Sequence, residues 1–200
     1  MCVDYNELAK KYSLIYDWLA TISFGEKYNK SVFKRYTDEL WFPIKQMLQA
    51  IRYKQDQTAL DQQFLNCQYI GEIYRVHNLS SKKRLGNVDV HDYYQSWSRA
   101  DGLEHLPIHG EKLLIIANAD EAAFAIDTFK LLCFILRNFD RYIPNERYNP
   151  RYLCRYEEEG EIVMPMCSRL IKDMRIISYK DIVSFTSAEQ VPKENWFRKR

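Results

Sequence analysis

The sequence predicts an α+β fold in which a helical N-terminal part precedes a sheet-forming one. Two observations carry this. Apolar residues recur at helical spacing up to about residue 65, and from residue 68 onward the pattern turns to short aromatic and β-branched runs between polar connections. At 200 residues the chain is long enough for one sizeable domain, or for a domain with a helical extension. We read 1–66 as a helical part and 67–200 as an α+β part of one structural unit.

Leu8, Tyr12, Ile15 and Leu19 form the first helical stripe, and Val32, Tyr36, Leu40, Ile44, Met47, Leu48 and Ile51 the next. Gly25 interrupts between them, and Thr37 or Asp38 can restart a helix before Pro43, which falls early enough to be tolerated. The polar stretch 56–63 reads as a loop or an exposed helix face. Strands are expected at 69–76, 93–98, 112–117, 162–164 and 175–178. Between them, 120–139 reads as a helix with Ala122, Ala123, Ala125 and a Leu/Phe-rich face. Pro144, Asn145, Asn149 and Pro150 mark 140–156 as a loop.

Composition removes several classes. A formal net charge of +2 argues against a protein whose main work is to coat nucleic acid or an anionic membrane. Lys82-Lys83-Arg84 and the terminal Arg198-Lys199-Arg200 read as a solvated loop and tail. Cys2, Cys67, Cys133, Cys154 and Cys167 are an odd set without a C-x-x-C pair, and with His77, His91, His105 and His109 they form no zinc spacing. No metal is expected, and the thiols read as reduced and structural. The longest apolar stretch, 131–136, is too short to cross a bilayer, and no secretory signal is apparent. The expected location is a cytoplasm, that of its own cell or of a host. There is no Gly-rich phosphate loop and no G-x-G-x-x-G, so any dinucleotide would be held without a Rossmann unit.

Three segments carry residues suited to chemistry. The run Glu157-Glu158-Glu159-Gly160-Glu161 leads directly into Ile162-Val163-Met164-Pro165. Glu159 and Glu161, one residue apart, project from one strand face, and Glu157 shares their parity. Alone, such a run reads as a solvated acidic loop. Upstream, an aromatic and β-branched strand from Tyr69 delivers Arg75, with Val76 beside it and His77 on the same strand face. In Tyr94-Gln95-Ser96-Trp97-Ser98-Arg99 two serines again share a face.

In order, aromatic-Arg, aromatic-x-Ser-x-Ser and Glu-x-Glu before an apolar strand, this chain resembles the Arg-Ser-Glu class of mono-ADP-ribosyltransferases of bacterial toxins and phages. The resemblance spans 68–179. Val76 stands where that family often has Gly, and Trp97 where Thr commonly separates the serines. The resemblance implies an ADP-ribosyltransferase-like split β-sandwich, NAD as co-substrate, no metal and no membrane. It implies transfer of ADP-ribose to a target protein, with nicotinamide released; Glu-x-Glu favours arginine as acceptor. Nucleic acid as acceptor and plain NAD hydrolysis stay open.

By the same resemblance, Glu161 stabilises the developing oxocarbenium ion and Glu159 orients or deprotonates the nucleophile. Pairing Glu157 with Glu159 is disfavoured, because Glu161 abuts the rigid strand. Arg75 offers donors to the NAD pyrophosphate or ribose, Val76 acts through its backbone, and Ser96 fixes Glu161 with Ser98 in support. Arg99 is a further phosphate candidate. Tyr148, Tyr152 and Tyr156, in the loop before Glu-x-Glu, are candidates for touching the target protein. The competing class is a non-catalytic interaction module or inhibitor, suggested by the Tyr-rich helices and the departures at Val76 and Trp97.

Overall fold

The computed structural model describes residues 3–22, 30–78, 91–100, 102, 111–142, 157 and 160–177. Helices α1 (Tyr5–Lys10), α2 (Tyr12–Ile22), α3 (Lys30–Tyr36), α4 (Phe42–Arg52) and α5 (Ala59–Leu65) form the N-terminal part. Asp4 caps α1 by accepting from the amides of Asn6 and Glu7. No helix restarts before Pro43: α3 runs through a π-helical stretch, Thr37–Trp41, into α4. Proline cannot donate to the carbonyl four residues back, and a widened turn relieves the clash. The Glu39 carbonyl left over by Pro43 accepts from Lys11 Nζ at 2.7 Å.

The polar stretch after α4 resolves into a loop and α5. Thr58 and Asp61 close a reciprocal capping box around the first turn of α5. Asp61, almost fully buried, also accepts from Tyr5 Oη at 2.7 Å and Lys54 Nζ at 2.8 Å. Burial alone would raise its carboxyl pKa, but the donors Lys54, Tyr5 and Thr58 outweigh this and hold it well below the usual range.

Seven strands follow: β1 (Gln68–Tyr69), β2 (Gly71–Asn78), β3 (His91–Ser98), β4 (Lys112–Ala119), β5 (Ala125–Asp127), β6 (Glu161–Met166) and β7 (Ile171–Ile177), with α6 (Thr128–Phe139) between β5 and β6. They form one curled antiparallel sheet in the order β1-β5-β6-β3-β2-β4-β7. The architecture is α+β, as expected, with two corrections. The helix expected over 120–139 begins only at Thr128. Phe124 takes a left-handed backbone (φ 49°), which ends a short 3-10 turn at Glu121–Ala123 and releases β5. Asp127 then caps α6 by accepting from the Lys130 amide at 3.0 Å. The last strand starts at Ile171, ahead of the expected 175.

One face of the sheet packs Tyr94, Ile126 and Val163 against α1, α2, α4 and α6, through Leu8, Ile15, Trp18, Leu48, Leu132 and their neighbours. The helical part and the sheet therefore share a core. On the opposite face Ile73, Trp97, Leu113, Ile115, Ile162 and Met164 form a second cluster. No helix among the described residues is long and apolar enough to cross a membrane. Cys67 is buried, which pushes its thiol up to about 12 and makes it a poor nucleophile.

Candidate functional site

Gly160 turns the acidic run into β6. Its φ of 54° is left-handed, a conformation that glycine adopts without a Cβ penalty. Its amide donates to the Glu157 carbonyl at 3.1 Å, and its own carbonyl accepts from the Arg99 amide at 2.9 Å. Glu161 is thereby delivered as the first residue of β6, directly opposite Ser98 of β3. Register partners share a face. Ser96 lies opposite Val163, so the serine across from Glu161 is Ser98, two residues beyond the one expected to contact it.

The Glu161 side chain is 3% exposed and bonded from the helical side. Trp18 Nε1 of α2 donates to Oε1 at 3.1 Å. Thr128, the first residue of α6, places its Oγ1 3.3 Å from Oε2 and 3.1 Å from the Glu161 carbonyl. The indole N–H serves Oε1, while the single Thr128 hydroxyl hydrogen serves either Oε2 or the Glu161 carbonyl. The Trp18 ring is held edge-on by Phe33, Tyr36 and Trp41, with centroids 5.9, 5.3 and 5.2 Å away.

Arg75 is 4% exposed and stands on β2 beside β3. Tyr74 is the register partner of Ser98, so Tyr74 and Val76 share the serine face and Arg75 takes the opposite one with Ile73 and His77. Among the described residues this is the single register pair between β2 and β3. Beyond it the Arg75 guanidinium bridges the seam: Nη1 donates to the Ser96 carbonyl, and Nε donates to His77 Nε2 at 2.9 Å.

Arg99 is built into the framework. Its Nη1 pairs with the buried Asp127 at 3.3 Å, and Nη2 donates to the Glu157 carbonyl at 3.3 Å. It thus ties the end of β3 to the acidic turn and to the start of α6. Lys130 approaches the same carboxylate at 3.7 Å.

The structure thus gathers Ser96, Ser98 and Glu161 on one face of two adjacent strands, whereas Arg75 stands on the opposite face of β2 and does not share that face with Glu161 as expected, because Tyr74 rather than Arg75 is in register with Ser98. Glu159, Tyr148, Tyr152 and Tyr156, the Lys82–Arg84 and C-terminal basic runs, Gly25, and His105 and His109 lie outside the described residues. Among the described residues no group of three or more His, Cys, Asp or Glu could hold a metal ion. Trp18 and Thr128 are the contacts that sequence reasoning missed. Trp18 reads as one more apolar position in a helical stripe; the Asp127-Thr128 pair before an apolar run was a readable helix start. No family model, no curated protein and no solved structure matches the chain.

Proposed function

We propose that the protein is a mono-ADP-ribosyltransferase with an ADP-ribosyltransferase-like split β-sandwich. It transfers ADP-ribose from NAD to a target protein, on arginine, and releases nicotinamide. One observation carries the reading. Three motifs far apart in sequence lie on three consecutive strands, β6, β3 and β2, and Ser98 and Glu161 are directly opposed. An unrelated acidic run and Ser-x-Ser have no reason to meet.

In this reading the C–N bond between ribose and nicotinamide breaks, its electron pair leaves with nicotinamide, and the ribose carbon gains positive charge. The Glu161 carboxylate, already removed from water and held by fixed donors, needs little reorganisation to stabilise that charge. The acceptor guanidine nitrogen then bonds to the ribose carbon and gives up a proton to Glu159. Water in place of the acceptor yields ADP-ribose and a proton. Arg75, on the opposite face of β2, would reach a pyrophosphate oxygen only by leaving the Ser96 carbonyl and His77.

A second reading has its own observation. Both Glu161 and Arg75 are nearly fully buried and bonded within the chain, as structural charges are in a non-catalytic interaction module. Glu161→Gln separates the two. It preserves the shape of the side chain, and for a transferase should leave the melting temperature and NAD affinity near wild type while lowering nicotinamide release about a hundredfold or more. Labelled NAD, incubated with the wild type and a bacterial lysate, should leave label on protein. A wild type that neither binds nor cleaves NAD leaves the interaction module as the answer.

A further inference from the structure

We infer that Trp18 is a positioning residue for Glu161, so that the N-terminal helical layer supplies part of the carboxylate site. This rests on reading Glu161 as the catalytic carboxylate. An indole N–H donates and cannot accept, so Oε1, 3.1 Å away, must turn a lone pair toward it in every protonation state. Thr128 Oγ1 differs. A hydroxyl has one proton and two lone pairs, so when it donates to the Glu161 carbonyl at 3.1 Å it can accept from Oε2 at 3.3 Å. The indole N–H thus favours a carboxyl proton on Oε2, and Trp18 helps to orient the group. The ring cannot swing away, because Phe33, Tyr36 and Trp41 pack its edges and Trp18 is fully buried.

Losing the indole N–H removes a donor to the ionised form, which moves the titration of Glu161 to higher pH. It also loosens the orientation of the carboxylate at Oε1, so turnover falls while substrate contacts remain. The experiment compares Trp18→Phe with wild type in the full chain. Two quantities are read: the titration midpoint of the Glu161 carboxyl carbon by NMR of 13C-glutamate-labelled protein, assigned by its loss in Glu161→Gln, and kcat and KM for nicotinamide release from NAD.

The expected result is a raised midpoint, a kcat lower by about ten- to a hundredfold and a KM within about twofold. An unchanged midpoint overturns the inference whatever the activity. A raised midpoint with unchanged kcat also overturns it, because the contact is then merely structural. A raised midpoint in a protein whose wild type neither binds nor cleaves NAD keeps the contact and overturns the transferase reading instead. If Trp18→Phe fails to fold, benzothienylalanine at position 18, the same bicycle with sulfur in place of N–H, carries the same expectations.

Discussion

The two halves of the sheet are held by different forces. Strands β2, β4 and β7 form long ladders, with β2 and β4 paired without interruption from Gly71↔Ala119 to Asn78↔Lys112. The half that carries Glu161 keeps one long ladder, β3 with β6, but its outer members are short: β1 has two residues and β5 three. What it lacks in main-chain bonds it makes up with side chains from the helical layer: Trp18 and Thr128 to Glu161, and Thr37 Oγ1 accepting from the Tyr94 amide at 2.9 Å. One half rests on its ladders, the other on the β3–β6 ladder together with the layer behind it. Perturbing the helices should therefore loosen β3, β5 and β6 while sparing β2 and β4.

The largest test is Trp41→Ala. Trp41 is fully buried against Trp18, and its removal should cost about 4 kcal/mol in urea unfolding. Amide exchange should rise in β5 and β6 before β2 and β4; equal rises would break the contrast. Trp41→Phe should cost far less, because among the described residues the Trp41 indole N–H meets no acceptor and its loss removes an unpaid desolvation.

Next comes the seam. Arg75→Ala strips a guanidinium from the Ser96 carbonyl and His77, and should cost about 2–3 kcal/mol. It should also weaken NAD binding about tenfold or more, as for loss of a charge-assisted contact, which titration calorimetry measures. Unaltered affinity would remove Arg75 from the proposed pocket.

The smallest is Asp61→Asn, in the helical layer, at about 2 kcal/mol near neutral pH. Because the folded carboxyl pKa is depressed, its contribution is complete above the unfolded value near 4 and is lost as pH falls through that value toward the folded one. The gap between variant and wild type should narrow progressively as the pH falls below about 5 in chemical unfolding. A gap that persists in acid would assign the effect to shape rather than charge.

These differences follow what could be read from the chain. The long strands announced themselves through Ile73, Tyr74 and Val76 and the run Leu113-Leu114-Ile115-Ile116, a continuous apolar run because β4 is buried on both faces. Strand β5 did not, since Ala-Ile-Asp amid alanines follows a helical pattern and its left-handed breaker is a phenylalanine rather than a glycine. Ser-x-Ser was legible because it obeys the strand period of two, and Glu161 because it stands directly before an apolar run; the expected pairing of Glu159 with Glu161 on one strand does not follow, since the strand starts only at Glu161, after the left-handed turn at Gly160. The helical partners of Glu161 were not legible, since a hydrogen bond between Trp18 and a residue 143 positions away leaves no local spacing to read.

That separation has a consequence during synthesis. At about 5–20 residues per second, roughly 7–30 s pass between the addition of Trp18 and that of Glu161. Throughout that interval the helices have no β6 to cover. A ribosome that stalls just short of β6 leaves a chain bearing Trp18, both serines and Arg75 but not yet Glu161.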